Sequence, residues 1–194
     1  MHPVVKIYDQ SSFERSDLNG EFKFAISIQN KGSYPAVLRP DFRGRRLNLY
    51  FDDVVEGPGA ATPADIEALF SFGVEWLAEV RKHPSSTVVH CGAGISRSAA
   101  SALLLLVLYF ENYIAAATHL FRIAPHVAPN VWICRLIFEK FGPDYGLDVF
   151  EALAKGKEEA SRWGYKPKRR TSRINPRRKI HSRRSHPDPR RIAS

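Results

Sequence analysis

The stretch "STVVHCGAGISRSAASALLLL", residues 86–106, changes character twice. Ser86 to His90 is a short β-branched run bounded by turn residues, which predicts a buried strand. From Ser98 the chain turns apolar and stays so to Glu111, which predicts a buried helix. A buried strand feeding a buried helix through a glycine-bearing loop is the unit from which parallel α/β sheets are built. Such sheets bind ligands at the carboxyl ends of their strands, where the N–H groups of the following helix are free. The loop is therefore expected to hold an anion. Gly92 and Gly94 let the backbone curl with its amides inward, and Arg97 adds a planar two-pronged donor. Cys91 stands at the mouth of this nest. A thiol facing N–H dipoles and a guanidinium is expected to ionise at neutral pH and become a nucleophile. The alternative for a single cysteine at a strand end is a small buried hydrophobe.

Outward from the loop, "VVKIY" (Val4 to Tyr8), "FKFAISI" (Phe22 to Ile28) and "LNLYF" (Leu47 to Phe51) are further strand-like runs. Thr62-Pro63-Ala64-Asp65 has the signature of a helix start, with Thr62 as N-cap, Pro63 at the first helical position and Asp65 near the positive end. Ile66, Leu69, Phe70, Gly73, Leu77 and Val80 then recur at helical spacing, and His83-Pro84 ends the run. Further helices are expected at roughly 98–111, 113–123, 129–141 and 146–162. Strands alternating with helices imply an α/β fold with a small, mostly parallel sheet flanked by helices.

Composition bounds the rest. A chain of 194 residues, 44% hydrophobic, buries one core and predicts one domain. Two cysteines and no apolar leader point to a reducing, cytoplasmic setting. The apolar run 99–110 is too short to span a membrane, so no transmembrane segment is expected. The net charge of +9 is concentrated at one end: Lys166 to Ser194 holds twelve Lys and Arg against the single acid Asp188, leaving residues 1–165 slightly acidic. With four prolines and few large apolar residues, 166–194 is expected to be a disordered basic tail beyond a domain of residues 1–165. Its charge suits nucleic acid, anionic lipid or acidic protein.

"HCGAGISRS", residues 90–98, resembles the His-Cys-x5-Arg-Ser/Thr signature of the cysteine-dependent protein tyrosine phosphatase superfamily, and the short chain resembles its dual-specificity branch over roughly residues 45–141. "LNLYFDD" resembles the strand entering the general-acid loop, and "APNVWICRLIFEKF" a helix near the family's C-terminal end. The resemblance implies a protein tyrosine phosphatase-like fold and phosphomonoester hydrolysis without metal or other cofactor. Cys91 would attack phosphorus while Arg97 and the loop Gly92, Ala93, Gly94, Ile95 and Ser96 cradle the oxygens. His90 would orient the loop from its buried side. Ser98 would stabilise the departing thiolate, or else cap the following helix. An upstream aspartate would protonate the leaving group. Asp52 and Asp53 both qualify, and Asp53 is preferred because it shares parity with Leu47, Leu49 and Phe51. Asn130 would brace the signature loop or start its own helix. Cys134 suits a core position, with a protective disulfide to Cys91 under oxidation as the alternative.

The loop carries no charge beyond Arg97, which favours a phosphorylated protein or aryl phosphate over a phosphoinositide. Arg97-Ser98-Ala99 stands where related RNA 5′-triphosphatases usually have Arg-Thr-Gly, although the basic tail keeps that activity as an alternative. The third alternative is a non-catalytic phosphate-binding module. The acid candidates precede the loop, unlike the pattern of low-molecular-weight phosphatases.

Overall fold

The computed structural model describes residues 3–16, 22–37, 42–83, 85–146 and 148–162. The basic segment 166–194 and the boundary expected near Tyr165 lie outside the described residues. Four strands, β1 (Val4–Asp9), β2 (Phe22–Gln29), β3 (Arg45–Tyr50) and β4 (Ser86–Cys91), form one sheet in the order β1-β4-β2-β3. Among the described residues every pairing is parallel, as expected of a small, mostly parallel sheet. β4 is an inner strand, with His90 in register with Tyr8 on one side and Ser27 on the other. That position explains why "STVVH" is apolar without alternation: both faces are covered.

The helices are α1 (Gln10–Arg15), α2 (Pro63–Lys82), α3 (Arg97–Phe110), α4 (Tyr113–Ile123), α5 (Val131–Phe141) and α6 (Val149–Arg162), with a 3₁₀ turn at Pro143–Tyr145. α3 is buried on all sides from Arg97 to Leu108, as a helix apolar around its whole circumference must be. It lies in the main core with Ile26, Val89, Trp76 and Leu120. Alternate residues of the same strands, Ala25 and Val88, face the other way and form a smaller core with Phe13 of α1.

α2 opens with the expected cap. The Thr62 hydroxyl accepts from Asp65 N–H at 3.3 Å, while the Asp65 carboxylate accepts from Thr62 N–H at 2.8 Å. Its buried face is centred on Phe72 and Trp76, rotated from the expected stripe, and leaves Phe70 and Leu77 only partly covered. Trp76 sets that rotation, because its ring nitrogen donates to the Thr87 hydroxyl at 2.7 Å and ties the helix to β4. α5 and α6 begin later than expected, at Val131 and Val149; Asn130 is the residue outside α5 that caps it. α1 was not expected: with only Phe13 buried, "QSSFER" is too short to show a period.

Candidate active site

Each strand delivers something to one end of the sheet. Cys91 closes β4, and the seven residues to Arg97 form the loop into α3. The loop rests on the β1–α1 junction, where Gln10 N–H donates to the Gly92 carbonyl at 3.2 Å. Gly94 makes that contact feasible. Its φ is +68°, and a Cβ there would meet Asp9 N at 2.6 Å and the Tyr8 carbonyl carbon at 2.7 Å. Gly92 is different: its φ is negative, and a Cβ would lie 3.6 Å from Arg97 Nη2, an ordinary contact. Close approach therefore needs glycine at position 94, not at both.

The Cys91 thiol is 1% exposed. Burial alone would raise its pKa, but the Ser98 hydroxyl and the N–H groups of Ser98, Gly94 and Ile95 outweigh burial and hold the thiol below its usual range. Ser98 Oγ is 3.2 Å from Cys91 Sγ. Ser98 is not the cap of α3; Ser96 occupies that place and makes no capping bond. Arg97 turns back over the loop. Its Nη1 donates to Asn30 Oδ1 at 2.8 Å and to the Phe51 carbonyl at 2.7 Å, while its Nε is buried with no protein acceptor. A buried guanidinium N–H without an acceptor is costly, and an anion held in the loop would supply one.

Asp52 and Asp53 do different things. Asp52 closes its own loop, with its N–H donating to Gly59 O at 2.7 Å and its Oδ1 accepting from Lys31 N–H at 3.2 Å. Asp53 is exposed and reaches the signature loop: its Oδ1 accepts from the Ser96 hydroxyl at 2.7 Å and from Asn130 Nδ2 at 2.9 Å. Asn130 thus both starts α5, its Oδ1 accepting from Ile133 N–H at 3.1 Å, and holds the segment after β3.

His90 lies behind the loop, fully buried, stacked on Phe13 at 3.8 Å between centroids and bonded through Nε2 to Ser27 Oγ at 2.8 Å. Burial pushes its pKa from 6.5 down to about 4, so the ring is neutral at physiological pH. Cys134 is also fully buried, and burial pushes its thiol up to about 12, disfavouring the thiolate. Neither cysteine is in a disulfide. Among the described residues no group of three His, Cys, Asp or Glu is placed to hold a metal ion.

Two participants carry no signal of their own in the sequence. Asn30 follows β2 in what reads as a turn, yet it orients an arginine 67 residues away. Ser96 sits within the signature, but nothing in the linear order pairs it with Asp53.

Solved structures with the same arrangement of elements are dual-specificity phosphatases and their relatives. Human DUSP28 is 16% identical, with 72% of this chain and 88% of that one covered at a TM-score of 0.54. The human tyrosine phosphatase-like serine/threonine/tyrosine-interacting protein is 21% identical, with 70% and 89% covered at 0.52. DUSP15 is 17% identical, with 84% and 94% covered at 0.50. No protein-family model matches the chain, and no curated protein does either. The chain has the protein tyrosine phosphatase-like fold of these structures.

Proposed function

We propose that this chain is a cysteine-dependent phosphomonoesterase acting on phosphorylated protein, with phosphotyrosine as the favoured group and phosphoserine or phosphothreonine accepted. The observation that carries this is the buried Cys91 thiol, held low by Ser98 and three loop N–H groups beside an arginine with an unused donor. In the first step Cys91 Sγ attacks phosphorus in line, the P–O bond to the leaving group breaks, and Asp53 gives that oxygen its proton. The loop amides and Arg97 hold the three remaining oxygens as charge builds on them. In the second step Asp53 takes a proton from water, the water oxygen bonds to phosphorus, and Cys91 departs as thiolate with the Ser98 hydroxyl donating to it. Phosphate leaves and the enzyme is restored.

The rim of the site supports an aryl phosphate. Val54 (40% exposed), Val55 (55%), Ile95 (41%) and Val131 (57%) present apolar surface around Asp53, Ser96 and Asn130. Hydrogen bonds hold the rim together: Asn130 Nδ2 donates to the Val54 carbonyl at 3.4 Å and Ala128 N–H to the Ile95 carbonyl at 3.0 Å. An aromatic ring fits such a mouth better than a polyanionic inositol ring does.

The test is 4-nitrophenyl phosphate hydrolysis in the presence of EDTA by wild type and Cys91→Ser. Wild type is expected to turn over and the variant to lose activity by about 10³-fold or more, since removing a covalent nucleophile removes the pathway. Equal rates in the two proteins would sink the thiolate mechanism.

A further inference from the structure

We infer that Ser96 and Asn130 are positioning residues that latch the general acid to the phosphate loop, and that together they leave Asp53 only Oδ2 to carry the transferred proton. This rests on the phosphatase reading above. Both donors converge on one atom, Asp53 Oδ1, from Ser96 Oγ at 2.7 Å and Asn130 Nδ2 at 2.9 Å. An oxygen already accepting two hydrogen bonds has no room for a proton of its own, so Oδ2 must hold it and face the leaving group.

The orientation of each donor is fixed by what else it does. Asn130 Oδ1 accepts from Ile133 N–H at 3.1 Å, which only the carbonyl end of the amide can do, so Nδ2 is the end turned to Asp53. Asn130 N–H donates to the Ser96 carbonyl at 3.3 Å, binding the two latching residues to each other. Ser96 stands at the N-cap of α3 but with φ −109° and ψ −74°, in the helical region rather than the extended one that capping uses. Its hydroxyl is thereby free of the helix and available to Asp53. Because Ser96 belongs to the loop that would hold the phosphate, the acid is registered to the substrate rather than to its own loop. That loop, around Gly57, Pro58 and Gly59, is largely exposed, and the two partners of the Asp53 side chain both lie outside it.

The measurement is kcat/KM for a series of aryl phosphates of rising leaving-group pKa, from 4-nitrophenyl to phenyl, in wild type, Ser96→Ala, Ser96→Thr and Asp53→Asn. A misplaced acid harms poor leaving groups most. Ser96→Ala is expected to lose roughly 10- to 100-fold more on phenyl phosphate than on 4-nitrophenyl phosphate, a part of the roughly 10²–10⁴-fold that a positioned general acid contributes. Ser96→Thr, which keeps the hydroxyl, is expected to recover most of the difference. In an Asp53→Asn background Ser96→Ala is expected to add little, because the acid it positions is gone. Asn130→Asp, which keeps an N-cap acceptor for α5 but removes the amide donor, is expected to behave like Ser96→Ala. Equal losses across the series, or an undiminished effect in the Asp53→Asn background, would overturn the latch while Cys91-dependent turnover left the phosphatase reading intact. Turnover independent of Cys91 would overturn both.

Discussion

Cys91 and Ser98 face each other at 3.2 Å because β4 ends on one and α3 places the other at its second residue. The Ser98 hydroxyl is the leading influence that offsets burial at the thiol, so Ser98→Ala is expected to move the thiol pKa upward. The acidic limb of kcat/KM against pH reports that ionisation, and it should shift to higher pH in the variant. In the proposed mechanism the same hydroxyl would stabilise the thiolate as it leaves, and a lost hydrogen bond to a charged group is worth about 10- to 100-fold. Ser98→Ala should therefore accumulate phosphoenzyme, seen as a burst of 4-nitrophenolate followed by a slow steady state. His90 adds a dependence of stability on pH. Its folded pKa of about 4 lies below the free value of 6.5, so the fold favours the neutral ring. That contribution is fully present above pH 6.5 and is lost as pH falls toward 4, roughly 3 kcal/mol in all if no other group compensates. Urea unfolding between pH 7 and 4.5 should show a steeper loss for wild type than for His90→Asn.

At the scale of elements, α6 is held to α4 by closeness rather than by large side chains. Gly156 lies in the middle of α6, where a Cβ would come within 2.6 Å of both Thr118 N and the Ala117 Cβ. Gly156→Ala raises helix propensity by about 1 kcal/mol. It also forces two helices apart against backbone, at a cost of about 1–3 kcal/mol. The net expected result is a lower melting temperature, with 4-nitrophenyl phosphate turnover retained because α6 contributes nothing to the site. The elements themselves were legible wherever a period ran long enough. The strands ending at Asp9, Gln29 and Cys91 each extend one residue past the expected run, and α4 has the expected bounds. α1 was hidden because six residues with one apolar side chain show no period. Its start depends instead on Asp9, whose carboxylate accepts from Ser12 N–H at 2.7 Å. The site was legible where chemistry is contiguous, in residues 90–98. It was not where the partners come from separate strands, as Asn30 and Phe51 do around Arg97.

Taken as a whole, the molecule gathers the carboxyl ends of four parallel strands into one place. Asp9 ends β1 beside Cys91 and Gln10 after it holds the loop, Asn30 follows β2, Phe51 and Asp53 follow β3, and Cys91 ends β4. Arg97 is the one charged residue of the proposed phosphate loop, 91–97, set in a body, residues 1–165, whose acids slightly outnumber its Lys and Arg. The net charge of that body gives an acidic phosphopeptide no overall attraction toward the loop. Twelve Lys and Arg in 166–194, tethered to the same chain, would attract such a substrate over a Debye length of about 8–10 Å at moderate salt. Truncation after Tyr165 is therefore expected to lower kcat/KM for an acidic phosphotyrosine peptide by about tenfold at low ionic strength, the lower end of electrostatic steering. 4-Nitrophenyl phosphate carries the phosphate charge but none of the peptide's additional acidic side chains, so the same truncation should change its kcat/KM less. Raising the salt should bring the full chain down to the truncated one on the peptide, since screening removes the attraction and leaves the pocket unaltered. Equal peptide kinetics for the two chains at low salt would assign the tail no part in substrate capture.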